Sequence, residues 1–337
     1  MIKTTLKVVS RLIVMLAIVG AVYQHCQTKL DARKFIPVGK MIEIGGYKLH
    51  MIDSQAGDVT VVMDSGIGGK TVDWCLVQPE IAKFARVITY DRAGYAWSDA
   101  SPLARTSDNI VQELHAMLHN AQIPAPYLLV GHGFGGINMQ LFASKYPDEV
   151  AGVVLIDAGH EDMFTAIPEL RPSKFMLYAV FIANYCGVLR AINYFASVQK
   201  RMQATIASYP AFLQRMYLPL TLTTKFVNAM TQEALNLEES CRQLKLVEGL
   251  FGDKPLTIIS SGKQLIYEQV AGYALPAQIE SCNQAWLQLQ TDLVKKSSRS
   301  KQIFVNNVSA MITDQPRIIV DAVRAMTDEL KVVNNVL

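Results

Sequence analysis

The chain has 337 residues, half of them hydrophobic and 18% charged, with a net charge of +3. That much apolar material supports a large packed core and excludes an intrinsically disordered chain. A charge so near balance, with no basic tract or aromatic-basic stripe, sets nucleic-acid binding aside.

At the N-terminus, Lys3, Lys7 and Arg11 precede an uninterrupted apolar run over residues 12–23. A bilayer span takes about 20 residues, and Leu6, Val8 and Val9 supply the missing length if Lys7 and Arg11 snorkel to the interface. A cleaved signal peptide, cut after Val19-Gly20-Ala21, is the other reading. We take the segment as an uncleaved anchor, with residues 1–39 forming anchor and linker. The leading positive charges put the N-terminus inside and the domain on the non-cytoplasmic side, although Lys29, Arg33 and Lys34 oppose that orientation.

Beyond the linker, β-type runs are predicted at 41–44, 48–52, 60–63, 85–90, 127–130, 153–156, 256–259 and 302–305. The first two, separated by Gly45-Gly46, read as a hairpin. The later ones are nearly continuous in apolar character, as parallel strands buried on both faces must be. Helical periodicity fills the gaps: 109–120 carries Ile110, Val111, Leu114 and Leu118. The last helix presents Ile319, Ala322, Val323, Met326 and Leu330 on one face, with Pro316 near its start. A hairpin followed by a βαβ series predicts an α/β fold, a mostly parallel twisted sheet with helices on both faces.

Over 162–254 the β signal stops. The segment is rich in methionine and aromatics, and reads as a helical cap interrupting a core of 40–161 and 255–337. Most of its apolar residues are core between helices, and a minority line an apolar pocket. The five cysteines, Cys26, Cys75, Cys186, Cys241 and Cys282, show no metal-ligand spacing. Cys241 and Cys282 can pair if the domain is exported; otherwise they are buried thiols.

The run Tyr127-Leu128-Leu129-Val130-Gly131-His132-Gly133-Phe134-Gly135-Gly136 is a strand, a sharp glycine-rich turn and a helix start. It resembles the nucleophile elbow of the α/β-hydrolases, G-x-S-x-G, with Gly133 where the serine belongs. Asp64-Ser65-Gly66-Ile67-Gly68-Gly69 resembles that family's oxyanion loop after the third strand. The segment from Asp91-Arg92 to Ser98-Asp99 resembles its D-R-x-G-x-G/A-x-S stretch, and 153–162 resembles its sixth strand and the turn into the cap. The resemblance runs from about Gly39 to the C-terminus. It implies the α/β-hydrolase fold with a helical cap after the sixth strand, and ancestral hydrolysis of an ester, lactone or amide. It implies no metal or organic cofactor.

The same resemblance locates what is missing. Glycine at 133 keeps the turn without the strain of about 1–3 kcal/mol that another residue would bear, but it has no hydroxyl to attack a carbonyl. The family's histidine stands between the last strand and a D/E-x-P segment, where this chain has Ser309 or Ala310 in the slot. The six histidines (25, 50, 115, 119, 132 and 160) all precede residue 161. Asp157, at the end of the sixth strand, occupies a triad-acid position, with turn capping as its bland role. Gly66, Ile67 and Phe134 form the oxyanion or ligand-binding positions, through the backbone N–H groups of Ile67 and Phe134.

Other readings stay open. Ser65 and His160 could form a rebuilt nucleophile pair, and His132 reads as packing beside the elbow. Gly131, Gly133 and Gly136 also match G-x-G-x-x-G, with Asp157 about 20 residues on, as in a dinucleotide-binding unit. Against that, about five strands come first, whereas such a unit normally opens its domain. The expectation is therefore a catalytically emptied hydrolase that holds a small apolar or ester-like ligand, or a protein partner. The alternatives are a working or formerly working hydrolase, and a dinucleotide binder.

Overall fold

The structure is a computed structural model that describes residues 2–247, 251–261, 276–306 and 311–334. All eight predicted runs are strands, and they form one sheet. Glycines 45 and 46, both at positive φ, turn β1 (Lys40–Glu43) back onto β2 (Lys48–Asp53) as the expected antiparallel hairpin. Then follow β3 (Thr60–Asp64), β4 (Arg86–Tyr90), β5 (Tyr127–His132), β6 (Val150–Ile156), β7 (Leu256–Ser261) and β8 (Ser300–Val305). The order across the sheet is β1-β2-β4-β3-β5-β6-β7-β8, and every pairing from β4 to β8 is parallel.

Strand alternation divides the apolar residues between two cores. One face carries Leu129 and Leu155, packed on Val111, Leu114 and Leu118 of a helix from Ser107 to Asn120. The other carries Leu128, Val130 and Ile156, packed on Ile319, Val323 and Met326 of the last helix. Those three side chains are at most 3% exposed, each worth roughly 1.5–3 kcal/mol in transfer from water.

The helices, in chain order, are α1 (Ile2–Lys34), α2 (Gln78–Ile81), α3 (Ser107–Asn120), α4 (Phe134–Lys145), α5 (Met163–Ala166), α6 (Lys174–Tyr185) and α7 (Val188–Ile192). They continue with α8 (Ala196–Thr205), α9 (Ala211–Thr221), α10 (Thr224–Leu235), α11 (Leu237–Lys245), α12 (Pro276–Asp292), α13 (Met311–Asp314) and α14 (Pro316–Asn334). Helices α5 to α11 form an insertion between β6 and β7.

Helix α1 is long and apolar enough to cross a membrane, by length and composition. It does not stop where the apolar run stops. The stretch after Tyr23, expected as linker, stays helical through Lys34, because Gln24 and Asp31 both bond Arg190 of the insertion (2.8 and 2.7 Å). Cys241 and Cys282 are free, buried thiols packed in one apolar cluster, so they do not pair.

Candidate active site

At the C-terminal end of β5 the chain must reverse within a few residues into α4. Close approach dictates two of the glycines: a Cβ on Gly131 would lie 2.6 Å from the Gly136 Cα, and one on Gly136 would run into the Ala158 Cβ. Gly133 is different. It takes φ +55°, ψ −118°, the strained elbow conformation, yet a Cβ there would meet only the Gly66 Cα, at 3.5 Å. The elbow backbone is in place and there is room for a side chain, but none is there. The Gly133 N–H donates to Ile156 O (3.1 Å), and its carbonyl accepts from Gly159 N (2.9 Å). The turn is thereby tied to the end of β6.

One residue past that tie is Asp157, itself at φ +41°. Its Oδ1 accepts from the backbone N–H (2.6 Å) and hydroxyl (2.9 Å) of Ser261, at the end of β7. Its Oδ2 is buried without a hydrogen-bond partner among the described residues. Burial pushes the carboxyl pKa up, and the Ser261 bonds only partly counter it. Ser309 and Ala310 lie outside the described residues.

The loop after β3 faces the elbow and is held from beneath. Arg92 donates to Asp64 Oδ1 (2.5 Å), to Ser65 O (2.6 Å) and to Gly66 O (2.8 Å). It also makes a two-toothed pair with Glu233 of α10 (2.8 and 2.9 Å). Tyr95 donates to Glu233 (2.6 Å) and accepts from Gly68 N (3.0 Å), while Asn138 donates to Asp64 Oδ2 (2.8 Å). Burial works against the Arg92 charge, but Asp64 and Glu233 outweigh it and hold its pKa well above the ordinary value. The carbonyls of this loop are thus tied down.

Above the loop is a cavity of about 470 Å³, lined among others by Gly66, Ile67, His132, Asp73, Tyr209 and Met311. Tyr209, supplied by the insertion, donates to Asp73 Oδ1 (3.1 Å). Lys70 lies behind Asp73, with Nζ 3.5 Å from its carboxylate and 3.7 Å from the centre of the Tyr217 ring. His132 is pushed down to about 4 by burial, so its ring is neutral near pH 7.

Gly66, Ile67 and Gly133 therefore converge, and Phe134 opens α4 beside them. His160 is not among the lining residues described, and its Nδ1 accepts from Asp162 N (3.0 Å). The glycines of the G-x-G-x-x-G match each have a packing or turn role, and Asp157 Oδ1 is committed to Ser261. Sequence reasoning missed Asp73, Tyr209 and the Arg92–Glu233 pair. Glu233 had left a trace: with Phe226 and Met230 it continues an i, i+4, i+7 spacing, a carboxylate on an apolar helical face.

A profile of the alpha/beta hydrolase fold matches residues 59–235. YqjL of Bacillus subtilis is 37% identical over 113 residues, covering 33% of this chain and 45% of YqjL. The 2-hydroxy-6-oxo-2,4-heptadienoate hydrolase of Pseudomonas putida is 26% identical over 220 residues, 59% of this chain and 78% of that enzyme. A haloalkane dehalogenase loop variant from Bradyrhizobium elkanii superposes with TM-score 0.62 at 12% identity, over 88% of this chain and 98% of its own, a likeness of fold. The chain spans less than half the length of the Bacillus relatives it matches, at 45% and 46%. The matched profile takes in the β3 loop, the elbow and most of the insertion, more than half of the 337 residues, and the chain belongs to the alpha/beta hydrolase fold family.

Proposed function

We propose that this protein is a membrane-tethered α/β-hydrolase that has lost its catalytic nucleophile and base, and that it binds a small apolar or ester-like ligand without cleaving it. The observation that carries the reading is Gly133, where elbow backbone and side-chain space persist and no attacking atom exists. The absence of any histidine after His160 supports it, as does Asp157 Oδ2, which has no partner among the described residues. A ligand carbonyl or carboxylate would sit against the N–H groups of Ile67 and Phe134. The cavity is of small-molecule size, about 300–1,000 Å³ being usual. The insertion over 162–254 acts as its cap, and a protein partner is the alternative occupant.

In this reading α1 anchors the domain on the non-cytoplasmic side of the membrane. The test uses the full chain in detergent, with a fluorophosphonate probe and p-nitrophenyl butyrate. We expect no labelling, and turnover no higher than the roughly 10³-fold over water that binding and an oxyanion hole alone sustain. A phosphonyl adduct on any cavity side chain, Ser65 above all, would restore the working-hydrolase alternative. Stabilisation by NAD in a thermal melt would revive the dinucleotide one.

A further inference from the structure

Helix α6 is apolar nearly all round, which in a water-soluble domain marks a helix covered on every side. One side is covered: Val180 and Phe181 pack against Tyr95 and Phe226. The other is bare. Phe175, Tyr178, Ile182 and Tyr185 are 81%, 49%, 59% and 55% exposed, and their spacing of three, four and three residues aligns them in one stripe. Val188 and Ile192, one turn apart on α7, and then Tyr194 and Phe195 continue the apolar surface past the Cys186-Gly187 turn. An exposed patch of this kind marks a contact surface.

Its position relative to α1 identifies what covers it. Gly20 packs so tightly on the Cys186 carbonyl that no Cβ would fit between them, and Gly187 in turn packs on Gly20. Tyr23 and Tyr194 share a hydrogen bond through their hydroxyls (3.1 Å). Gly20 and Tyr23 both belong to the apolar run 12–23. If that run lies in lipid, the α6–α7 turn, packed on Gly20, reaches nearly one helical turn, about 5 Å, below the lipid boundary, and Tyr194, bonded to Tyr23, stands at that boundary. Interfacial helices sink about 5–10 Å. Immediately past Tyr23 the contacts turn polar: Arg190 bonds Gln24 and Asp31, and Gln24 donates to Leu222 O (2.5 Å). Neither α6 nor α7 contains an acidic residue, and Lys174 and Arg190 are their cations. Tyrosine and phenylalanine at such a level suit the headgroup boundary.

We propose that the insertion lays the α6–α7 face into the surface of the same bilayer that α1 crosses, so that the protein is held at the membrane by two elements. This deepens the anchor reading above and rests on it.

The test places the full chain in phosphatidylcholine vesicles with and without lipid brominated on its acyl chains. Tyr178→Trp and Ile182→Trp each add one reporter to the native Trp74, Trp97 and Trp286, and are read as differences from the parent chain. Leu16→Trp on α1 is the reporter for the span, and Phe304→Trp on exposed β8 is the reporter for water. We expect the α6 reporters to lose emission to the brominated chains as Leu16→Trp does, and to lie to the blue of Phe304→Trp. Quenching at Leu16→Trp with none at Tyr178→Trp and Ile182→Trp would overturn this inference and leave the anchor standing. No quenching at Leu16→Trp would overturn both. Shielded α6 reporters in a chain that cross-links to a second copy through α6 would assign the face to a dimer instead.

Discussion

Gly133 holds a backbone conformation that a serine would occupy at a cost of about 1–3 kcal/mol, and the nearest atom to its absent Cβ is 3.5 Å away. Gly133→Ser should therefore fold, with a stability loss of about that size in denaturant titrations, and should leave p-nitrophenyl butyrate turnover at the level of the parent. On the proposed reading the hydroxyl projects into place with no histidine in the expected slot to take its proton. Full turnover in that single variant would mean that some group outside the expected histidine slot serves as base. His132, the histidine that lines the cavity, is a poor candidate for a different reason: burial has lowered it from 6.5 to about 4. With a folded pKa below the unfolded one, the unfolded chain takes up the proton first. Its contribution to stability is intact above pH 6.5 and drains away as pH falls from 6.5 towards 4. Melting temperatures measured across that interval should fall less steeply in His132→Gln than in the parent. Parallel curves would place His132 in a wetter setting than its packing on Gly66 indicates.

At the scale of elements, what could be read from the sequence was what local chemistry dictates. The strands from β3 to β7 announced themselves by apolar runs, because a parallel strand inside the sheet is buried on both faces wherever its neighbours lie. The elbow was legible because a reversal from β5 into α4 within a few residues admits only a narrow set of side chains. The clamp beneath the β3 loop was not. Arg92 and Glu233 are separated by 141 positions, and their pairing depends on where α10 lands, which no local pattern encodes. That clamp makes the insertion part of the site's scaffold, since one guanidinium holds the carbonyls of Ser65 and Gly66 and the carboxylate of α10 together. Breaking a buried ion pair from one side costs about 3–5 kcal/mol. Asp64 remains beside Arg92, so Glu233→Gln should fall at the lower end, about 3 kcal/mol by chemical denaturation. Tyr95→Phe removes one hydroxyl from the same cluster and should lose less, about 1–2 kcal/mol. Equal losses would reduce the Arg92–Glu233 contact to an ordinary neutral hydrogen bond.

For the molecule as a whole, the relation of α1 to the insertion was hidden in the sequence. The stretch after Tyr23 is polar and reads as linker, and only its partners Arg190 and Leu222, far along the chain, explain why it stays helical and ordered against the body. Helix α1 is consequently packed on the domain rather than loosely strung to it. Gly20 is where this can be tested, because a side chain there meets the Cys186 backbone, which cannot step aside as a flexible side chain would. Val19, its neighbour in sequence, is 60% exposed. Gly20→Leu should force α1 off the turn between α6 and α7, lowering the melting temperature in detergent by the equivalent of about 1–3 kcal/mol. It should also open residues 24–39 to limited proteolysis. Val19→Leu, which puts the same side chain on the free side of the helix, should change neither. If the two variants melt alike and resist protease alike, the contact of Gly20 with the α6–α7 turn does not hold α1 on the domain, and the proposed depth of the insertion loses its reference.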